Sequence, residues 1–290
     1  MEGFLLQVLS GLATGGIYAS LALAVVMIFK ATHLVNFAQG EMAMFSTYLA
    51  WQLLDWGMPY WGAFFLTIAL AFVGGVVIER VVIRPFESHA AILAVVTVFI
   101  GLFLILNSLA GWTWDHIIKV FPSPFPSGSV LGGYLSGHQL GLLGVTLSVL
   151  ALVYLFFRFT PLGLAMRAAA ENPESSRLVG IRVSWMLALG WGLAGALGAV
   201  AGMMVAPIVY LEPNMMAFVL IYAFAGALLG GIDNPWGAVV GGFTVGVLEN
   251  VMGTYVVGTE LKLSVALVII ITVLVAKPSG LFGKHLVTRV

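Results

Sequence analysis

What most constrains this chain is a series of apolar runs, each long enough to cross a lipid bilayer. A hydrocarbon core of about 30 Å takes roughly 20 residues of α-helix. Such runs recur over residues 4–29, 36–54, 59–79, 90–110, 139–157, 184–206, 216–231, 235–254 and 261–276. Of the 290 residues, 61% are hydrophobic and 8% charged, whereas a soluble domain carries about 25% charged residues. So few charges do not make a water-soluble surface, and hydrocarbon is the natural solvent for most of it. The expected fold class is an all-α polytopic membrane protein with about 8–10 transmembrane helices, some of them broken. A single transmembrane domain is expected over residues 1–290. The pair 216–231 and 235–254 is joined only by Ile232-Asp233-Asn234 before Pro235, so it reads either as two full spans or as two half-helices around a cavity.

The N-terminus, MEGFLLQVLSGL, has no Lys or Arg before Lys30. It lacks the basic region of a secretory signal, so the first run is expected to be a retained helix. The 35 glycines suit helices that pack closely in lipid, where packing rather than the hydrophobic effect drives association. Twelve Lys and Arg balance twelve Asp and Glu, so no charge excess points to nucleic acid. There is no cysteine, which removes disulfides, thiolate metal sites and cysteine nucleophiles.

Orientation follows from the basic residues, which accumulate in short cytoplasmic loops. Arg80 and Arg84 follow the third run; Arg158, Arg167, Arg177 and Arg182 lie around the loop after the fifth; Lys277, Lys284 and Arg289 follow the last. The intervening loops are poor in base, with Asp55, Lys119, Glu212 and Glu260 as their charged marks. Nine spans make this alternation consistent, with the N-terminus outside and the C-terminus inside. Lys262, just inside the outer end of the last run, is placed to snorkel.

Two loops are long. The outer loop 111–138 is rich in Pro, Ser, Gly and aromatics; it suits a docking surface, although Trp112, Trp114 and Tyr134 are also what an interfacial aromatic belt supplies. The cytoplasmic loop 158–183 has helix-forming composition over 162–171, a break at Asn172-Pro173, and then a second short helix with Glu174 in its first turn. Leu164, Ala168 and Glu171 lie on or beside one face of the first of these helices. Such a helix can seat in a groove of a soluble partner or lie on lipid headgroups.

Polar residues within the apolar runs are the other candidates for function, because an acid at mid-bilayer costs at least about 2.5–3.5 kcal/mol and so faces the bundle interior or water. The cluster Asn36-Phe37-Ala38-Gln39-Gly40-Glu41 opens the second run, near its expected inner end. Asn36 is placed there to cap a helix, or the group lines a cytoplasmic mouth. Glu249 sits deep in a late run after Gly226, Gly230, Gly231, Gly237, Gly241, Gly242 and Gly246, with Lys262 as its one basic candidate. Glu79, Arg80 and Arg84 read as a charge cluster anchoring the third run at the interface. His33, His89, His116, His138 and His285 show no metal-ligand spacing. There is no P-loop: Gly283-Lys284 has Pro278 where the motif needs Gly, and His285 follows. The chain therefore has no recognisable means of hydrolysing ATP.

Taken in order, Gly15-Gly16-Ile17-Tyr18-Ala19, Asn36-Phe37-Ala38-Gln39-Gly40-Glu41, Arg84-Pro85, Arg167-Ala168-Ala169-Ala170-Glu171-Asn172 with Gly180-Ile181, Gly237-Ala238-Val239-Val240-Gly241-Gly242 with Glu249, and Lys277-Pro278-Ser279-Gly280-Leu281-Phe282-Gly283 resemble the shorter, LivH-type permeases of branched-chain amino-acid ABC importers. Three departures are visible: Gln39 stands where the family usually has His, Lys277 where it usually has Arg, and the turn Ile232-Asp233-Asn234-Pro235 is less typical of it. The resemblance implies an ABC importer permease fold in a bacterial or archaeal inner membrane, and no cofactor of the chain's own. Its implied partners are a second homologous permease, two cytoplasmic ATPase subunits that bind the ATP, an extracytoplasmic solute-binding protein and membrane lipid. It implies that Leu164, Arg167, Ala168, Ala169, Glu171 and Gly180 belong to an ATPase-coupling segment. Asn36, Phe37, Gln39, Glu41, Gly242 and Glu249 are the candidates for the substrate pathway, with no catalytic or metal-binding residue expected. The competing reading is a stand-alone ion-coupled transporter or channel, which would depend on Glu249.

Overall fold

The computed structural model describes residues 2–32, 34–87, 92–126, 128–130 and 135–283. His33, His89, Tyr134, Lys284, His285 and Arg289, named above, lie outside the described residues. Every apolar run is occupied by a helix. In chain order these are α1 (Glu2–Thr32), α2 (Gln39–Asp55), α3 (Tyr60–Val77), α4 (Arg84–Glu87), α5 (Ile92–Trp114), α6 (Gly137–Phe159), α7 (Pro161–Glu171), α8 (Pro173–Leu178), α9 (Val183–Val209), α10 (Met216–Gly230), α11 (Pro235–Tyr255) and α12 (Lys262–Ala276). A wider π-helical turn, Ile78–Ile83, joins α3 to α4. A two-residue hairpin, β1 (Ser129–Val130) against β2 (Leu135–Ser136), precedes α6. Among the described residues, six helical segments are long and apolar enough to cross a membrane: Gly3–Lys30, Tyr60–Phe86, Leu93–Trp114, Gly137–Phe159, Val183–Val209 and Thr259–Ala276.

The chain divides into two compact units. The first comprises residues 1–26, 125–145 and 217–290, and so holds most of α1, the hairpin, the start of α6, and α10 to α12. Its helices meet through glycine. A Cβ built on Gly242 of α11 would stand 2.5 Å from the Ala19 Cα of α1, and one on Gly226 of α10 would stand 2.7 Å from the Gly242 Cα. Three backbones therefore converge at one level, which only a residue without a side chain permits. The link between α10 and α11 explains the short connection in the sequence. Asn234 accepts from the N–H groups of Trp236 and Gly237 at 3.1 Å each, Pro235 takes the first helical position, and the Asn234 amide donates to the Phe282 carbonyl at 2.9 Å. Of the two expectations for 216–254, the structure has two uninterrupted helices, of 15 and 21 residues.

The second unit comprises residues 27–124 and 146–216. Its centre is α9, whose side chains from Ala188 to Ala206 are largely buried, with α2 and α3 packed along it. Trp191 of α9 is completely buried and lies 5.9 Å, centroid to centroid, from Phe99 of α5. Two aromatic expectations are refined here. Trp112 is 84% exposed, which suits an interfacial belt and a docking surface alike. Trp114 is instead buried: its indole donates to Gln52 Oε1 at 2.8 Å and stacks on Tyr48 at 5.1 Å. The Glu79–Arg84 group also differs from an interfacial anchor. Glu79 is buried within the π-helical turn, the Arg80 Nε is 3.6 Å from its carboxylate, and the Arg80 guanidinium lies 3.8 Å above the Trp185 ring of α9. Only Arg84 is exposed.

Replacing Gly242 by Leu should force α11 away from α1 and α10 and lower the thermal unfolding midpoint of the detergent-purified protein, at a cost of at least about 1–3 kcal/mol. Gly74→Ala in α3, where an added Cβ meets nothing within 4 Å, should leave the midpoint unchanged or raise it slightly.

Candidate functional site

The polar cluster at the start of α2 lies deeper than the sequence suggests. Gln39, the first residue of α2, donates from Nε2 to the Ala194 carbonyl at 3.0 Å. A Cβ on Gly198 would stand 2.8 Å from the same Nε2, so the absent side chain makes room for the amide. Ala194 and Gly198 sit in the middle of α9 (Val183–Val209), so α2 begins about halfway along its neighbour rather than at its end. The expectation of an inner-mouth position is corrected accordingly. The chain reaches this point through an irregular turn. The Ala38 N–H donates to Asn36 Oδ1 at 3.0 Å, and Asn36 Nδ2 contacts Met42 Sδ at 3.7 Å. Asn36 therefore closes an Asx turn just before the helix; Ala38 holds the cap position itself and makes no side-chain cap bond.

Asn36, Gln39 and Glu41 are all buried, whereas Phe37 is 47% exposed. Glu41 faces α5: Asn107 Nδ2 donates to its Oε2 at 3.2 Å, and the same amide reaches the Pro213 carbonyl at 3.0 Å and Asn214 Oδ1 at 3.3 Å. Gln39 and Glu41 thus engage two different helices from one helical turn. Asn107 belongs to no sequence motif, although a lone amide in an otherwise apolar run is the kind of signal that marks an inward-facing position.

In the other unit, Glu249 of α11 forms the centre of a second polar group. Tyr18 of α1 donates its hydroxyl to Glu249 Oε2 at 2.8 Å and stacks on Tyr222 of α10 at 4.9 Å. Lys262, at the start of α12, lies 3.7 Å from Glu249 Oε1 and donates to Asn250 Oδ1 at 2.9 Å; Asn250 Nδ2 donates to Thr14 Oγ1 at 3.3 Å. The basic partner anticipated for Glu249 is therefore in place, and its stem crosses Gly253, where a Cβ would stand 2.6 Å from the lysine Cγ. Tyr18 is the partner that sequence reasoning missed, because nothing local links residues 231 positions apart. Gly242 lies in the same unit at the close approach of α11 to α1, so its place there is one of packing.

The loop after α6 forms two short helices where the sequence predicted them. Thr160 caps α7, accepting from the Gly163 N–H at 3.0 Å, with Pro161 at the first helical position. Asn172 caps α8 in the same manner, accepting from the Ser175 N–H at 3.0 Å with Pro173 next. Gly180 takes φ +85°, a left-handed conformation that glycine adopts without strain, and so turns the chain towards α9. Met166 and Ala169 form the buried face of α7, which packs on α9, and Gly163 is buried against Phe156 and Phe157 of α6. Leu164, Arg167 and Glu171 are exposed and Ala168 is half-buried. Lys30, at the end of α1, lies 3.7 Å from Glu171. Beyond α7, Leu178 and Val179 are 88% and 76% exposed, two apolar side chains that sequence patterning does not mark out. Ala169 thus belongs to the seating face and Leu164 to the free one.

Among the described residues no group of three or more His, Cys, Asp or Glu side chains is arranged to hold a metal ion. Comparison with known proteins gives a consistent picture. Residues 7–274 match the family model described as the permease component of a branched-chain amino acid transport system. The chain is 29% identical over 304 residues to the high-affinity branched-chain amino acid transport system permease protein LivH of Escherichia coli strain K12, covering 99% of this chain and 98% of that one. It is 30% identical over 303 residues to the corresponding permease protein BraD of Pseudomonas aeruginosa, with the same coverage of 99% and 98%. A probable LivH of Methanocaldococcus jannaschii is 29% identical over 279 residues, covering 91% of this chain and 87% of that one. Among solved structures, PsaBC from Streptococcus pneumoniae in complex with Fab contains a chain matched at a TM-score of 0.50 and 14% identity, over 93% of this chain and 91% of that chain, which is a likeness of fold.

The Glu249 group yields a direct stability test. Lys262→Met should leave the Glu249 carboxylate with Tyr18 alone and destabilise the protein by about 1–3 kcal/mol, seen as a lower thermal unfolding midpoint. Adding Glu249→Gln to that variant removes the uncompensated charge and should recover at least half of the loss.

Proposed function

The chain belongs to the permease family of branched-chain amino acid transport systems, and from that premise we propose that it forms half of the membrane pathway of an ATP-binding-cassette importer for branched-chain or other hydrophobic amino acids. In this proposal a second, homologous permease completes the pathway, two cytoplasmic ATPases drive it, and an extracytoplasmic binding protein delivers the solute. The chain resides in the cytoplasmic membrane, N-terminus outside and C-terminus inside, as the distribution of Lys and Arg favours.

The observation that carries the proposal is the α7–α8 segment. One face of α7 is seated on α9, while Leu164, Leu178 and Val179 project apolar side chains and Arg167 and Arg177 flank them as exposed charges. A rigid, capped, amphipathic helix pair with free apolar anchors suits a groove on a soluble partner. Because α7 packs on α9, and α9 carries α2 and α3, displacement of the segment has a short mechanical route to the polar turn at Asn36–Glu41. Ala169 lies on the face of α7 turned to α9, and Gly163 lets α7 fold back against Phe156 and Phe157 of α6; Leu164, Arg167, Ala168, Glu171 and Gly180 complete the coupling surface. Nucleotide-driven closure of the ATPases would then favour one of two arrangements of the pathway, the free energy coming from differential binding in trans. Asn36, Phe37, Gln39 and Glu41 are proposed to line that pathway. Gly242 contributes by letting α11 approach α1, and Glu249 by tying α11 to α1 and α12. With Glu249 engaged by Tyr18 and Lys262, we read it as a structural tie and not as an ion-coupling group.

Affinity purification of the full chain from native membranes should bring down two ATPases and a second permease; recovery of the chain alone, active without nucleotide, would contradict the proposal. In reconstituted vesicles, Leu164→Asp should cut ATP-dependent uptake at least about tenfold at unchanged protein level, through loss of an apolar anchor worth about 1.5–3 kcal/mol. Ala169→Asp should act differently, lowering the amount of folded protein, because it buries a charge against α9.

A further inference from the structure

Tyr210, which ends α9, has φ +66° and ψ 159°. Only glycine enters that region without strain, and a residue with a Cβ stays there when its surroundings force it to. Three residues earlier Pro207 stands inside α9, so the Met203 carbonyl loses its usual helical donor and the last turn is weakened. The residues that follow Tyr210 are fastened at two points. Leu211 and Lys119 form an antiparallel bridge, with N–H to carbonyl distances of 3.0 and 2.9 Å in the two directions. The Leu211 side chain is completely buried, while Lys119 lies 3.5 Å from Asp115 and 4.9 Å from the Trp51 ring of α2. The second fastening is Asn107 of α5, whose Nδ2 meets the Pro213 carbonyl at 3.0 Å and Asn214 Oδ1 at 3.3 Å. The same nitrogen meets Glu41 Oε2 at 3.2 Å. It carries two hydrogens for three acceptors, so one acceptor is always short of a full bond. A strained residue thus sits between a weakened helix end and two hydrogen-bonded restraints, one of them shared with the first turn of α2.

We propose that residues 210–215 form a latch that is closed in this structure and opens during the transport cycle. Opening breaks the Lys119–Leu211 bridge, relaxes the Tyr210 backbone and leaves Asn107 wholly to Glu41. The proposal rests on the reading of this chain as an importer permease with two arrangements. It adds which segment moves, where the opposing strain is held and which side chain exchanges partners. The bridge and the Asn107 bonds favour the closed latch, and the Tyr210 strain favours the open one. A modest displacement of α9, on which α7 sits, is then enough to shift the balance. Asn107 carries the change to Glu41, because the donor that the turn releases is the one the carboxylate was sharing.

The chain has no cysteine, so one introduced thiol reports on the latch. Leu211→Cys is made in the full chain, purified with its accompanying subunits and placed in nanodiscs, where both membrane faces are open to solvent. Labelling by a water-soluble methanethiosulfonate reagent is timed in nucleotide-free, ATP-bound and vanadate-trapped states. The expected result is a rate at least about tenfold faster in one state than in another. Tyr210→Gly, which removes the strain, should slow labelling in the fast state about tenfold. Asn107→Ala, which removes a fastening, should speed labelling in the slow state about three- to tenfold. The latch can also be stapled, because partners in such a bridge have Cα atoms about 5.5 Å apart, within reach of a disulfide. Lys119→Cys with Leu211→Cys should cross-link on oxidation and lose at least about tenfold in ATP-dependent uptake of L-leucine by reconstituted vesicles, recovered on reduction. Equal labelling rates in all three states, unchanged rates in Tyr210→Gly, failure of the pair to cross-link, or normal uptake by the oxidised pair overturns the latch and leaves the importer reading intact. Absence of ATP-dependent uptake by the unaltered chain contradicts the importer reading instead, and the labelling rates still decide the latch.

Discussion

Hydrocarbon offers no hydrogen bonds, and the whole structure is arranged around that fact. A polar group inside a membrane-spanning bundle has to find its partner within the protein. Three of the buried polar side chains described above illustrate the rule. Glu249 is met by Tyr18 and Lys262, Glu41 by Asn107, and Asn36 by the backbone of Ala38. Helices can reach such partners only if they come close, which is why glycines stand where α1, α10 and α11 converge.

Much of the architecture is legible in the amino-acid sequence. All nine apolar runs are helices, and their ends fall within a few residues of the hydropathy boundaries. The reason is physical: bilayer thickness fixes the length of a span, and Pro and Asn punctuate the helices where caps are needed. Thr160-Pro161, Asn172-Pro173 and Asn234-Pro235 each provide a capping side chain followed by a proline at the first helical position. The family resemblance, carried by short motifs spread through the chain, agrees with a family match over residues 7–274.

Depth and direction are not legible in the same way. Hydropathy draws the second span from residue 36, but a turn closed by Asn36 delays the helix to Gln39 and sets it halfway along α9. A one-dimensional pattern does not show where a helix begins relative to its neighbours. Likewise Ala168 and Ala169 are equivalent by composition, yet one is half-buried and the other fully buried against α9, because alanine fits either face of a helix. Leu178 and Val179 look like ordinary apolar residues in a loop and become notable only through their exposure. Tyr18 and Glu249 are brought together by tertiary packing, which no local signal encodes.

The central claim is that motion enters this permease through the α7–α8 segment from partner ATPases on the cytoplasmic side. Cross-linking from Val179→Cys, in a chain that has no other cysteine, tests it most directly. The predicted result is a cross-link to an ATPase subunit in inside-out vesicles, with a yield that changes between nucleotide-free and ATP-bound states. Modification of the same residue by a membrane-impermeant reagent added only from outside intact cells would contradict it.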